Sequence, residues 1–299
     1  MQVASPNVNH FLNRIRVYIA RMPSLSTTVT KVLETCNDPY ASPNELSRVI
    51  SLDPVLTGQV LRLINSAYYA LPQGITTLPR AIIMLGLNTV KNLALSLAVL
   101  ETMSGKGGLR TVSSNDFWAH CLCVGVSARC ISELKGASLS EREDYFIAGL
   151  LHDLGKIPLN KQFPEQYHWA FNKANRSDDP RPLFWAENEI FGLDHCMVGQ
   201  LIAEKWKLGE SLIQALAHHH STDDAHPDAR SFVSVVALAN GCAKRWRIGS
   251  SGDSIQNDKL VSDLLEKVGV QSSVLEELHE RVLEEIDKAK IFLELSRRG

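Results

Sequence analysis

The sequence predicts an all-α protein, with an N-terminal helical bundle followed by a second bundle that carries eight of the ten histidines. Three observations predict it. Helix-start signals recur along the first hundred residues, apolar residues return there at spacings of three and four, and alternating strand patterns with Asn-Gly or Asp-Gly hairpin turns do not recur.

The elements follow in order. Ser42-Pro43-Asn44-Glu45 is a capping box: Ser42 accepts a backbone N–H, Pro43 loses no hydrogen bond at the first helical position, and Glu45 reaches back to the cap. Leu46, Val49 and Ile50 then make one apolar face. Asp53-Pro54 repeats the device, and Leu56, Val60, Leu63 and Ile64 predict a second short helix. A third runs from Leu78 to Leu85, where Gly86 can take the left-handed conformation that turns the chain into a helix over Leu87 to Leu100.

Ser104 to Ser114, with Gly105, Gly107 and Gly108 among small and polar residues, is the expected linker. Gly105-Lys106-Gly107-Gly108 is not a phosphate loop, because the G-x-x-x-x-G-K-[ST] spacing and a preceding strand are both missing. Beyond it, helical patterns cover 115–133, 140–154, 195–206, 211–219 and 231–246. The stretch 272–295 keeps Leu275, Leu278, Val282 and Ile286 on one face of a long amphipathic helix. The expected division is therefore 1–104, 115–249 and 250–299, the last packing on the second bundle.

Composition narrows the function. With 299 residues, 44% hydrophobic and 21% charged, the chain can bury a sizeable core. A net charge of −2 argues against a nucleic-acid partner, which would call for a basic excess. Met1 to Arg21 lacks the pattern of a secretory signal, and the apolar stretch Leu78 to Leu100 is interrupted by Arg80, Asn88, Lys91 and Asn92, so no membrane span is expected. Cys36, Cys121, Cys123, Cys130, Cys196 and Cys242 form no C-x-x-C pair and read as reduced core thiols of a cytoplasmic protein.

The strongest chemical signal is Leu151-His152-Asp153-Leu154-Gly155-Lys156, entered from the apolar segment Tyr145 to Leu150. Adjacent helical residues differ by about 100° in direction, so His152 and Asp153 can both reach a cation between their arcs. An imidazole nitrogen with a carboxylate oxygen suits Zn, Mn or Fe better than Ca or Mg. Gly155 is expected to close that helix, leaving Lys156 beside its end. A lone His-Asp pair is more often a hydrogen-bonded helix end than a ligand set. Here, however, His120, His195, His219 and His220 lie on further helical segments that can converge with it in a bundle core.

Taken together these motifs resemble the HDOD family. Leu52-Asp53-Pro54-Val55-Leu56, Ile64-Asn65-Ser66-Ala67-Tyr68-Tyr69 and Ala81-Ile82-Ile83-Met84-Leu85-Gly86-Leu87 look like the N-terminal half of HDOD domains. Phe117-Trp118-Ala119-His120, Gly149 to Lys156, Asp194-His195 with Val198-Gly199, and His219-His220 follow in the family's order, over roughly residues 20–245. The resemblance implies an N-terminal helical bundle plus an HD-like helical bundle, distantly related to HD phosphohydrolases and used as a signalling or regulatory module.

Comparison with the related HD-GYP phosphodiesterases implies the ligand set. Asp116 and His120 have the spacing of that family's carboxylate and first histidine, although Asp116 can equally complete a cap with Ser113. His152 and Asp153 match the name-giving pair, with Asp153 placed to bridge if two metals bind, and His195, His219 and His220 match the later ligands. Two departures stand out. The final aspartate is replaced by Asn240, and no Gly-Tyr-Pro follows His220. The cofactor implied is a divalent transition metal (Fe, Mn or Zn), as one ion or two.

Two functions remain open. One is a regulatory module whose partner is a signalling protein or a small phosphorylated ligand, its partner surface largely on the N-terminal half or the groove that half makes with the HD-like half. The other is a metal-dependent phosphohydrolase, with Asp153 and Lys156 as catalytic groups and Lys156 stabilising a phosphoryl group; a helix-end cation is the alternative for Lys156.

Overall fold

The computed structural model describes residues 8–38, 40–103, 111–252, 255 and 257–296. Among these the chain is helical, with no strand. The first group comprises α1 (Val8–Arg21), α2 (Thr27–Cys36), α3 (Pro43–Ser51), α4 (Pro54–Ile64), α5 (Leu78–Leu85) and α6 (Leu87–Met103). There follow α7 (Ser114–Leu134), α8 (Leu139–Leu151), α9 (Lys156–Gln162), α10 (Pro164–Ala174), α11 (Leu183–Phe191), α12 (His195–Lys205), α13 (Glu210–His218) and α14 (Arg230–Trp246). The chain then runs through α15 (Asp258–Val268) into α16 (Leu275–Ser296).

Local chemistry sets the first helices. Ser42 Oγ accepts the Glu45 amide at 3.2 Å and Glu45 accepts the Ser42 amide at 2.8 Å, while Asp53 Oδ1 caps α4 by accepting the Leu56 amide at 3.0 Å. Leu56, Val60, Leu63 and Ile64 are all buried. Gly86 has φ +87°, outside the usual range of an L side chain, and α5 and α6 meet there at 116°. No single described helix is long and apolar enough to cross a membrane. Asn88 and Asn92, the polar breaks in the apolar stretch, donate to the Asp144 carboxylate of α8 at 2.9 and 2.7 Å. Their amide N–H groups are thus paired inside a helix interface rather than exposed. The expected linker lies mostly outside the described residues, since 104–110 are not among them.

The hydrophobic core runs through both groups. α7 and α8 pack most closely, because Gly125 and Gly149 face one another: a Cβ on Gly149 would lie 2.7 Å from Gly125 Cα and from the Val124 carbonyl. α14 packs on α7, and α16 lies across α4, α6 and α7, burying Leu278, Val282 and Ile286. α1 packs against α9, α11 and α12, and Lys205 of α12 donates to the Met22 carbonyl at 2.7 Å just past the end of α1. At the junction of the helices, buried Glu143 of α8 accepts from Tyr69 Oη at 3.0 Å and Arg129 Nε of α7 at 3.2 Å, so its charge is paired as burial requires.

One element differs from expectation in a way that matters for chemistry. α8 ends at Leu151 rather than Leu154, and 152–155 form a turn closed by bonds from Leu154 N to Leu151 O at 3.0 Å and Lys156 N to Asp153 O at 3.0 Å. Gly155 does not end a helix in the left-handed region. It has φ −64° and starts α9, and it is glycine because the backbone of α12 lies against it. Lys156 is accordingly the first residue of α9, not a cation beside a helix C-terminus.

Candidate metal centre

Five segments deliver the site. α7 begins at the Ser113 cap and carries His120 on its inner face; the turn after α8 carries His152 and Asp153. α12 opens with His195, its first turn fixed by Asp194 Oδ1 accepting the Met197 amide at 3.0 Å. α13 stops at His218, and His219 and His220 follow in the turn beyond it. The loop after α14 closes over them, where the Ser250 amide donates to the Asp116 carbonyl at 3.0 Å.

Asp153 sits at the middle. Its Oδ2 lies 3.2 Å from His152 Nε2, 3.8 Å from His120 Nε2 and 2.8 Å from Lys156 Nζ. Its Oδ1 lies 3.3 Å from His195 Nε2 and 3.7 Å from His219 Nε2. All five residues are buried, none more than 2% exposed. His220 stands beside them, its ring centroid 4.3 Å from that of His219 and stacked on Phe184.

The hydrogen bonds fix which nitrogens face inward. His152 Nδ1 is 2.7 Å from the Gly149 carbonyl and His219 Nδ1 is 3.1 Å from the Ala215 carbonyl. A carbonyl only accepts, so both Nδ1 atoms hold the proton and both Nε2 atoms present a lone pair. His195 Nδ1 donates to Glu187 Oε2 at 2.6 Å in the same sense. The result is an inward convergence of acceptors: His195 and His219 Nε2 are 3.4 Å apart, while His120 Nε2, His152 Nε2 and Asp153 Oδ1 have no hydrogen-bond partner. Buried lone pairs aimed at one another and at a carboxylate require positive charge among them. A proton on His195 would serve one contact and leave the others orphaned. Imidazole nitrogens with a carboxylate are the donor set of a divalent transition metal, so these residues fit one.

For three of the histidines electrostatics agree with that fit. Burial, and then the neighbouring His152, push His120 down to about 3, and burial likewise holds His219 and His220 well below the usual histidine range. These three are therefore neutral, as ligands must be. Burial would raise Asp153, but His152, Lys156 and His195 outweigh it and hold the carboxyl well below its usual range. For His195 burial opposes charge, and the Glu187 carboxylate overcomes it and raises the imidazole.

Of the residues named from the sequence, His120, His152, Asp153, His195, His219 and His220 thus border one buried centre. Asp116 does not. It is exposed, its amide accepted by Ser113 Oγ at 3.0 Å and its Oδ2 accepting from that hydroxyl at 2.6 Å, so the capping role has won. Asn240 is 4% exposed, its Oδ1 has no hydrogen-bond partner, and it lines a cavity of about 110 Å³ with His219, His220 and Lys244. Lys156 is buried against Asp153 and donates also to the Ser251 carbonyl at 3.0 Å.

Sequence reasoning missed Glu187. It lies on α11, eight residues before His195, fully buried, and accepts from both the amide and the ring of His195. A carboxylate behind a ligating histidine fixes its tautomer and strengthens it as a donor, and losing such a partner typically costs about 10- to 100-fold in metal affinity. Glu187→Gln is expected to weaken metal binding by about that factor while the helical circular dichroism is kept. Equilibrium dialysis against a metal buffer checks it, and unchanged affinity would show that His195 needs no such support.

Comparison with known proteins gives the same picture of the fold. A crystal structure of an HDOD domain protein from Geobacter sulfurreducens superposes with a TM-score of 0.74 at 23% identity, covering 95% of this chain and 98% of that one. A protein of Shewanella amazonensis SB2B, provisionally named a phosphohydrolase, gives 0.68 at 21% identity over 96% and 97% of the two chains. An uncharacterized protein of Treponema pallidum (strain Nichols) is 24% identical over 220 residues, 73% of this chain, and the chain spans only 41% of that protein's length. Residues 22–222 match the HDOD domain family model, well over half of the sequence, and the chain belongs to the HDOD domain family.

Proposed function

We propose that the chain is an HDOD-type regulatory module in which a buried divalent transition metal, held by His120, His152, Asp153, His195, His219 and His220, serves structure or sensing. The observation that carries this is the convergence of proton-free Nε2 atoms on Asp153, with three donor atoms left unpartnered. The neighbouring cavity favours binding over turnover. At about 110 Å³ it falls short of the roughly 300–1,000 Å³ typical of small-molecule sites. On this reading the helices before residue 104 present the partner surface to a signalling protein, and the six unpaired cysteines suit a reducing, cytoplasmic setting.

A phosphohydrolase is the second reading, favoured by a specific arrangement. Lys156 is held on Asp153, and Asn240, His220 and Lys244 line the adjoining cavity, where a small phosphorylated ligand would meet a cation and an amide. A metal bound there would supply Lewis acidity toward a phosphoryl oxygen and acidify water. The chain's own contribution would be to orient the imidazoles, exclude bulk water and balance charge through Lys156. Asn240 in place of a carboxylate lowers the negative charge of the site and favours the first reading.

Metal analysis of protein reconstituted anaerobically with Fe, Mn or Zn, combined with a phosphoesterase panel of nucleotides and simple phosphoesters, tests both. The expected result is one or two bound ions per chain with no turnover above background. Turnover that Asp153→Asn abolishes would replace the first reading by the second, and no bound metal would overturn both.

A further inference from the structure

We infer that Cys196 is a metal ligand, so that His195, Cys196, His219 and His220 form a sulfur-bearing site for a thiophilic divalent ion such as zinc. This rests on the metal reading above and deepens it, because it names a ligand that neither the motif pattern nor the spacing of histidines points to.

The geometry falls into two groups. One donor atom from each of His195, Cys196, His219 and His220 lies within 4.8 Å of the other three, and His120, His152 and Asp153 form a separate group by the same measure. Within the first group, His195 Nε2 to His219 Nε2 is 3.4 Å and Cys196 Sγ to His219 Nε2 is 3.8 Å. In a tetrahedral site with Zn–N of about 2.0–2.1 Å and Zn–S of about 2.3 Å, neighbouring donors stand about 3.3–3.6 Å apart. These two separations need to contract by only a few tenths of an ångström.

The other donors are prepared as well. His220 Nε2 has no hydrogen-bond partner, and its ring stacks on Phe184 at 4.5 Å and 21°. Cys196 is 5% exposed, at the first turn of α12, where the Asp194 cap and the Glu187 bond to the His195 amide hold the backbone in place. A thiol serving only as packing would be met by apolar atoms; this one has both ring nitrogens of His219 at 3.8 and 3.9 Å. On binding, the thiol loses its proton to solvent and the thiolate takes its place on the ion. Four protein donors then fill the tetrahedron, which is the pattern of structural rather than catalytic zinc.

Cobalt(II) substitution tests this without reference to activity. The full-length chain is loaded with cobalt anaerobically and its near-ultraviolet absorption is read for thiolate-to-cobalt charge transfer. The band is expected in the wild type and in Cys121→Ser, and should vanish in Cys196→Ser, with cobalt still bound at His120, His152 and Asp153. Zinc affinity of Cys196→Ser should fall at least about tenfold, since even partners outside the ligand shell are worth that much. Cys196→Ala serves the same purpose if the serine variant does not fold. Cobalt bound without the band, or a band that survives loss of Cys196, overturns the inference and leaves the metal reading standing; a folded wild type that binds no cobalt overturns the metal reading itself.

Discussion

Asp153→Asn is expected to lower metal content, with affinity at His120, His152 and Asp153 falling at least about 100-fold, whereas His218→Ala leaves it unchanged. The difference follows from position. Asp153 is the one carboxylate that four imidazoles and Lys156 all approach, through both of its oxygens. His218 is the last residue of α13 and belongs to neither donor group. Asparagine keeps the shape but removes the charge, and changes at partners outside the ligand shell already cost about 10- to 100-fold. The same substitution removes the carboxylate that Lys156 holds at 2.8 Å, and breaking a buried ion pair from one side typically costs about 3–5 kcal/mol. Asp153→Asn combined with Lys156→Met, which removes both members of that pair, should regain part of the lost stability and none of the lost metal. Metal content per chain and denaturant midpoints for the four proteins separate the two effects. Equal metal content in Asp153→Asn and His218→Ala would mean that the convergence of histidines is a packed core and nothing more.

Gly155→Ala is expected to destabilise the protein by more than about 3 kcal/mol or to prevent folding, while Gly199→Ala costs less than about 1 kcal/mol. Both glycines sit where α9 meets α12. A Cβ on Gly155 would fall 2.0 Å from the His195 carbonyl oxygen and 2.6 Å from the Gly199 amide nitrogen, both backbone atoms that cannot swing aside. A Cβ on Gly199 would meet Leu216 side-chain atoms at 3.5 and 3.6 Å and the Gly155 amide nitrogen at 3.8 Å, all ordinary contact distances. Because Gly155 stands between Asp153 and Lys156, forcing the two backbones apart would also pull His195 from Asp153, so metal content should fall with stability. Urea midpoints of the two variants decide the matter, and a Gly155→Ala protein as stable as wild type would refute the close approach.

Some of this was decided locally and is legible in the chain alone. The caps at Ser42 and Asp53, the apolar spacing in α4, the Gly86 corner and the amphipathic pattern of α16 depend on residues within a few positions of one another, so sequence distance and spatial distance coincide. The segment 156–191 was less legible, because α9, α10 and α11 are short and set off by Pro164 and Pro182, leaving too few turns for a periodic pattern to emerge. Asp116 had two local partners available, and only the fold decided between them: its carboxylate stays with Ser113 at the exposed end of α7. The end of α8 was likewise invisible, since nothing near Leu151 forbids another helical turn. It is the backbone of α12, brought in from forty residues away, that compresses 152–155 and swings Asp153 to the middle. Glu187 and Cys196 were passed over for the same reason. A buried acid on one helix and a thiol beside His195 have no signature in sequence, and acquire a role only when packing sets them against the rings of His195 and His219. The sequence by itself determined the helices and which residue types were available as donors; the tertiary structure alone decided which of them meet, because a ligand set is defined by distances of a few ångströms between segments that local propensity cannot relate.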